Sequence, residues 1–174
     1  AARFAPLVDG DDRAYRKQLW RGWHKHKAGD SLPYKQYAMF VGLNPSIADD
    51  VTDDMTIKKC VGFADKWGFQ GIYMLNLYSY IATVPQNLLD VIDPIGNPAN
   101  DHLIGYYAER CGRVVACWGD LPARLRREIG LSDRVLAVRE KLGHNVLCLG
   151  LTQSGAPRHP SRIAYDTKLV PYKV

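Results

Sequence analysis

The chain has 174 residues, 47% of them hydrophobic and 24% charged, with ten Tyr and four Trp; this is the size of one domain with its own core and excludes a disordered chain. Twenty-three Lys and Arg against eighteen Asp and Glu leave a net charge of +5, a mild bias toward polyanionic partners. No apolar run approaches the roughly 18 residues of a membrane helix and no signal-like segment opens the chain, so the expectation is a soluble cytoplasmic protein with no membrane contact.

In chain order, the first element is a cationic stretch from Arg13 to Lys27 that carries Tyr15, Trp20, Trp23, His24 and His26. It reads either as a phosphate track or as an edge hairpin or arm whose tryptophans cover the core. The turn Gly29-Asp30-Ser31-Leu32-Pro33 closes this arm of about residues 1–33. The apolar run 37–43 then predicts a buried strand stopped by Asn44-Pro45-Ser46. Beyond an acidic stretch, Asp49 to Asp54, the residues Ile57, Cys60, Val61, Ala64 and Trp67 recur at helical spacing over 56–68, with Asp53 or Asp54 as cap and Gly68 as stop. A second buried strand spans 71–77, and a proline-bearing loop follows. A helix is predicted over 100–111, a third strand over 113–119, a basic helix over 122–143 and a fourth strand over 146–150. The four cysteines, Cys60, Cys111, Cys117 and Cys148, have no C-x-x-C spacing and read as small buried thiols in a reducing compartment.

Alternation of strand and helix predicts an α/β three-layer sandwich, a single domain over 1–174 with a mostly parallel four-stranded central sheet. In such a sheet the polar residues after the strands converge on one edge. They are Gly42-Leu43-Asn44-Pro45-Ser46, Asn76, Trp118-Gly119 and the loop Arg158-His159-Pro160-Ser161. Asn76 carries the paired donor and acceptor that suit a pyrimidine edge. Tyr78, Phe40 and Trp118 are stacking surfaces or core residues, and His159 is a surface residue or a charge-stabilising donor. Asp54 reads as a helix-capping acid or, with Asp49, Asp50 and Asp53, as a general base or divalent-ion site.

The order of these motifs resembles the uracil-DNA glycosylase superfamily. The resemblance implies a uracil-DNA glycosylase-like fold in which Asn44 positions a water, Asn76 reads the base edge and His159 meets a pyrimidine carbonyl oxygen. It further places Gly42, Leu43, Tyr78 and Trp118 against the base and Ser46, Arg158 and Ser161 against phosphate. Ser46 stands where several of those families have an aromatic residue or Gly, so no preference for unmodified uracil is implied. Almost end to end, the chain is still more similar to the DUF1643 proteins of bacteria and phages. The residues that carry this likeness are Gly42-Leu43-Asn44-Pro45-Ser46, Asp54-x-Thr56, Asn76-Leu77, Thr83-x-Pro85, Asp93-Pro94-x-Gly96 with Asn100-Asp101, Trp118-Gly119 and Gly155-x-Pro157-Arg158-His159-Pro160.

The expected function is hydrolysis of the N-glycosidic bond of a uracil-like or modified pyrimidine in nucleic acid, DNA being favoured over RNA, by a monomer without cofactor or metal. Asp54 is the better base if the acidic cluster is functional. Two other readings stand beside it: a metal-dependent hydrolase or transferase on a modified nucleotide, and a non-catalytic nucleic-acid-binding module that uses the arm and the basic helix at 124–141.

Overall fold

The computed structural model describes residues 14–23, 33–46 and 54–173. His24, His26 and the acids Asp49, Asp50 and Asp53 lie outside the described residues. The elements are β1 (Leu19–Gly22), β2 (Tyr37–Gly42), α1 (Met55–Lys66), β3 (Gly71–Asn76), α2 (Ala99–Arg110), β4 (Arg113–Ala116), α3 (Ala123–Glu128), α4 (Leu131–Leu142), β5 (Val146–Cys148) and β6 (Val170–Pro171). Short 3-10 turns at Tyr34–Gln36, Pro85–Asp90 and Pro160–Arg162 join them.

The expected four-stranded sheet is instead a six-stranded mixed one, in the order β1-β3-β2-β4-β5-β6. Strands β3, β2, β4 and β5 are parallel neighbours and correspond to the four apolar runs, while β1 and β6 add antiparallel edges. Sequence patterning misses both edges for physical reasons. β1 lies in the cationic, aromatic arm, and β6 has two residues, one of them Pro171, which an edge tolerates because its missing N–H is not needed there. Leu19 and Trp20 of β1 pack against the core, as the edge reading of the arm anticipates.

β2 is buried at all six positions, the pattern of a central strand covered on both faces. Its side chains alternate between two layers. Ala38 and Phe40 pack with Ile57, Cys60, Phe63 and Ala64 of α1; Met39 and Val41 pack with Ile104 and Tyr107 of α2 and Leu131, Val135 and Val138 of α4. The sheet is thus the middle of three layers. All four cysteines are free and buried. No helix among the described residues is long and apolar enough to cross a membrane.

The helix expected over 122–143 is two helices. Gly130 sits at φ +65 between α3 and α4, a conformation that breaks the ladder and that glycine adopts without strain. Three of the cations expected there are paired within the chain, while Arg127 and Arg139 remain exposed. Arg134 is buried beside Asp101, Arg126 pairs with Asp120, and Arg124 pairs with Glu128.

Gly71 opens β3 where three strands meet. A Cβ there would fall 2.2 Å from the Tyr37 ring and 2.6 Å from the Arg21 carbonyl oxygen, and the backbone atom has little freedom to retreat. Gly71→Ala should therefore destabilise the protein by about 1–3 kcal/mol, the usual cost of overpacking, read from the midpoint of urea unfolding at unchanged m-value.

Candidate functional site

The connections that leave the carboxyl ends of β2 and β4 run in opposite directions, to α1 and β3 on one side and to α3, α4 and β5 on the other. A crevice opens where neighbouring parallel strands part in this way. A cavity of about 310 Å³ occupies that position, at the lower end of the range of small-molecule pockets.

Gly42, Leu43, Asn44 and Ser46 enter it from the loop after β2, Asn76 from the end of β3, Trp118 from the loop after β4, and His159 from the C-terminal loop. Asp54, the N-cap of α1, lines it as well. Eight of the expected site residues are thus brought together although they span most of the chain. Three are not among its lining residues. Tyr78 is 1% exposed, and its hydroxyl donates to the Ile129 carbonyl 2.8 Å away, with burial pushing its pKa to about 12. Arg158 is exposed and contributes its backbone N–H to Gly150. Ser161 stands behind His159. Phe40 stacks on Trp67 in the α1 layer.

Each pocket residue is held by local chemistry. Asn44 donates from Nδ2 to the carbonyls of Pro45 (3.0 Å) and Ala82 (2.8 Å), which ties the loop after β2 to the segment after β3. Its Oδ1 keeps acceptor capacity for a ligand or water. Asp54 accepts from Ile57 N–H at 2.8 Å through one oxygen and from Ser46 Oγ–H at 2.6 Å through the other; the helix-capping reading therefore holds, and the same carboxylate faces the cavity. Gly42 carries no side chain where the Asn76 amide lies, since a Cβ there would sit 2.6 Å from Asn76 Oδ1 and 2.6 Å from Met74 Cε. Gly119 turns the chain at φ +78 and lets His159 pack over it, 3.1 Å from where its Cβ would be.

The pocket also takes in Arg16, Thr56 and Thr83, none of them singled out from sequence. Arg16 donates to the Ser46 carbonyl at 3.2 Å. It lies within the cationic arm, where composition does not say which cation reaches the sheet edge; Thr56 and Thr83 belong to motifs that carry family likeness but no evident chemistry. Among the described residues no group of three or more His, Cys, Asp or Glu is arranged to hold a metal ion.

The family model for DUF1643, proteins of unknown function, matches residues 16–161. This chain belongs to the DUF1643 family. No curated protein and no solved structure matches it. The matched span contains Arg16 and every predicted site residue up to Ser161, so the pocket of this DUF1643 protein is built within the family's common region.

In the DUF1643 pocket the protonation of His159 follows from its neighbours. Ser161 N–H, which can only donate, reaches His159 Nδ1 at 3.4 Å, and Ser161 Oγ lies 2.9 Å from the same atom. Nδ1 is therefore the acceptor and the neutral ring carries its proton on Nε2. Enclosure by protein pulls the ring below the ordinary histidine pKa, while the Asp54 carboxylate pulls it back up. Near pH 7 His159 is then a neutral hydrogen-bond donor.

Two outcomes follow from this geometry. Asp54→Asn removes the carboxylate that opposes this shift, so the His159 ring should titrate at a still lower pH, seen in the pH dependence of its ring proton signals by NMR; an upward move would contradict the placement. Gly42→Ala should displace the Asn76 amide and cost about 1–3 kcal/mol of stability, measured by thermal unfolding beside a crystal structure of the variant.

Proposed function

We propose that this pocket binds a pyrimidine base extruded from nucleic acid, with DNA favoured over RNA, and hydrolyses its N-glycosidic bond. The observation that carries the reading is Asn76. Asn76 is 4% exposed at the end of β3, and its Oδ1, closed off from solvent, has no hydrogen-bond partner among the described residues. An unpaired buried acceptor costs roughly 1–3 kcal/mol, and it makes sense where a ligand supplies the missing donor. A uracil-type edge offers N3–H to such an oxygen and a carbonyl to the amide nitrogen of the same side chain. Reaching this edge requires the base to leave the helical stack. The resemblance of the motif order to the uracil-DNA glycosylase superfamily supports the same reading.

The reaction adds water across the bond between C1′ of the sugar and N1 of the base. Asn44 Oδ1 accepts a hydrogen bond from the water and aims its oxygen at C1′. As the C1′–N1 bond breaks, its electron pair leaves with the base and spreads onto the carbonyl oxygens. His159 Nε2–H donates to one of these, a neutral donor whose hydrogen bond strengthens as the charge develops. The water's proton passes to the Asp54 carboxylate and is returned to the departing base, so the products are the free base and an abasic sugar. Asn44 cannot take that proton near neutral pH, so positioning and electrostatics carry much of the rate and Asp54 completes the balance. Ser46 is committed to Asp54, and Ser161 acts through His159. This leaves Arg158, exposed beside the His159 loop, and Arg16 as cations suited to backbone phosphate.

Oligonucleotides that carry uracil, hydroxymethyluracil or other modified pyrimidines, single-stranded and duplex, should give abasic sites on incubation with the protein, read by alkaline strand cleavage and unaffected by chelator. His159→Ala should slow the reaction by about 10²–10³-fold, the usual loss on removing one donor to a developing anion. Asn76→Leu should abolish base binding. Absence of product from every base at stoichiometric protein would overturn the proposal.

A further inference from the structure

Behind the pocket wall that carries Asn76 lies a buried polar cluster that no catalytic step uses. The carbonyls of Asn76 and Leu77 accept hydrogen bonds from helix side chains. Asn100 of α2, fully buried, donates from Nδ2 to Asn76 O at 3.1 Å and to Leu77 O at 3.4 Å. Arg134 of α4, 5% exposed, donates from Nε to Leu77 O at 2.6 Å. Its Nη2 lies 2.7 Å from Asp101 Oδ1, an ion pair whose alignment falls short of a hydrogen bond.

This arrangement is expensive for a core. The inward face of α4 otherwise presents Leu131, Val135, Val138 and Leu142, and a buried guanidinium with its carboxylate commonly gives way to apolar side chains without loss of stability. Packing alone would be served as well by Met at 134. What Met does not provide is a fixed donor at the end of β3. The base-reading residue is the last residue of that strand, where the regular ladder to β2 ends at Gly42↔Asn76. From the β2 side its peptide plane and the next are held by Leu77 N–H and Tyr78 N–H, which donate to the carbonyls of Gly42 and Leu43 at 2.9 Å each; the carbonyls on the other edge of those planes complete the restraint through what they bond to.

We infer that Asn100 and Arg134, the latter held by Asp101, are positioning residues that fix the end of β3 and so aim the Asn76 amide into the pocket. They act through Asn76 and touch no substrate. The inference rests on the proposed reading only for the purpose of the aim; the coupling of the cluster to Asn76 is a property of the free protein.

The test separates the two. The double variant Arg134→Met with Asp101→Leu replaces the ion pair by apolar volume and should still fold, with a lower thermal midpoint because Leu77 O loses its donor from Arg134 Nε. Asn100→Leu removes the second set of donors. In both, the side-chain amide signal of Asn76 in the free protein, assigned by its loss in Asn76→Asp, should shift or broaden. Affinity for free uracil, measured by the same NMR titration, should fall about tenfold or more, the scale of one lost hydrogen bond. Arg134→Lys, which keeps the charge near Asp101 but lacks the planar fork, should show an intermediate effect and serves if the apolar variants do not fold. An Asn76 amide signal unchanged in folded variants would overturn the inference. A moved signal in a protein that binds no pyrimidine would uphold the positioning role and overturn the proposed function instead.

Discussion

The order of four parallel strands is the constraint on which the rest of the molecule depends. Because β3 and β4 flank β2 on opposite sides, the chain must leave β2 in one direction and β4 in the other, and the edge between them cannot be closed by a single covering loop. Everything polar in the pocket is a response to that opening. Asn44 ties the β2 loop to Ala82, Asp54 caps α1 and restrains Ser46, and Gly119 turns away so that His159 can close the far side. The apolar layers above and below supply the stability that allows an unpaired amide to persist at this edge.

The polar groups of the pocket divide into those satisfied by the protein and those left for a ligand. Asn44 spends its donor group and keeps its acceptor. Asp54 has one hydrogen bond on each oxygen and faces the cavity with the remaining lone pairs. His159 spends Nδ1 on Ser161 and keeps Nε2–H. Asn76 keeps an acceptor that no group among the described residues meets. One neutral donor, two acceptors held apart from it and a planar amide form a surface suited to a planar, uncharged heterocycle with carbonyl groups. A phosphodiester, which offers only acceptors, would leave the amide oxygen and the Asp54 carboxylate without donors.

Much of this was legible in the sequence, and the misses are specific. The four central strands are continuous apolar runs because both faces are buried, and a run ended by Gly-x-Asn-Pro or Asn announces where the sheet edge lies. β1 was open only as one of two readings of the cationic arm, and β6 was not visible as a strand because it is two exposed residues, one of them a proline. Tyr78 was read as a stacking surface or a core residue, and only the glycosylase resemblance placed it against the base. The regular strand stops at Asn76, however, and the phenol turns to the Ile129 carbonyl. Arg134 was read as part of a basic face because its partners, Asp101 and the Leu77 carbonyl, lie 33 and 57 residues earlier, and sequence charge does not distinguish a solvated cation from a buried one.

That last distinction changes what the net charge of +5 means. Within 124–141, Arg134 is buried, Arg126 sits 3.5 Å from Asp120, which itself lines the pocket, and Arg124 lies 2.7 Å from Glu128. Exposed pairs such as the last contribute little to stability, yet each places a carboxylate beside the cation a phosphate would have to meet. The helix pair thus offers a polyanion less than its composition suggests. Arg16 lines the pocket and is already bonded to the loop that carries Ser46, and Arg158 precedes His159 in the chain. On the proposed reading, phosphate contact would rest on a few placed side chains such as these rather than on the helix pair as a whole. If that reading holds, recognition would be led by the base, with backbone charge setting approach and register.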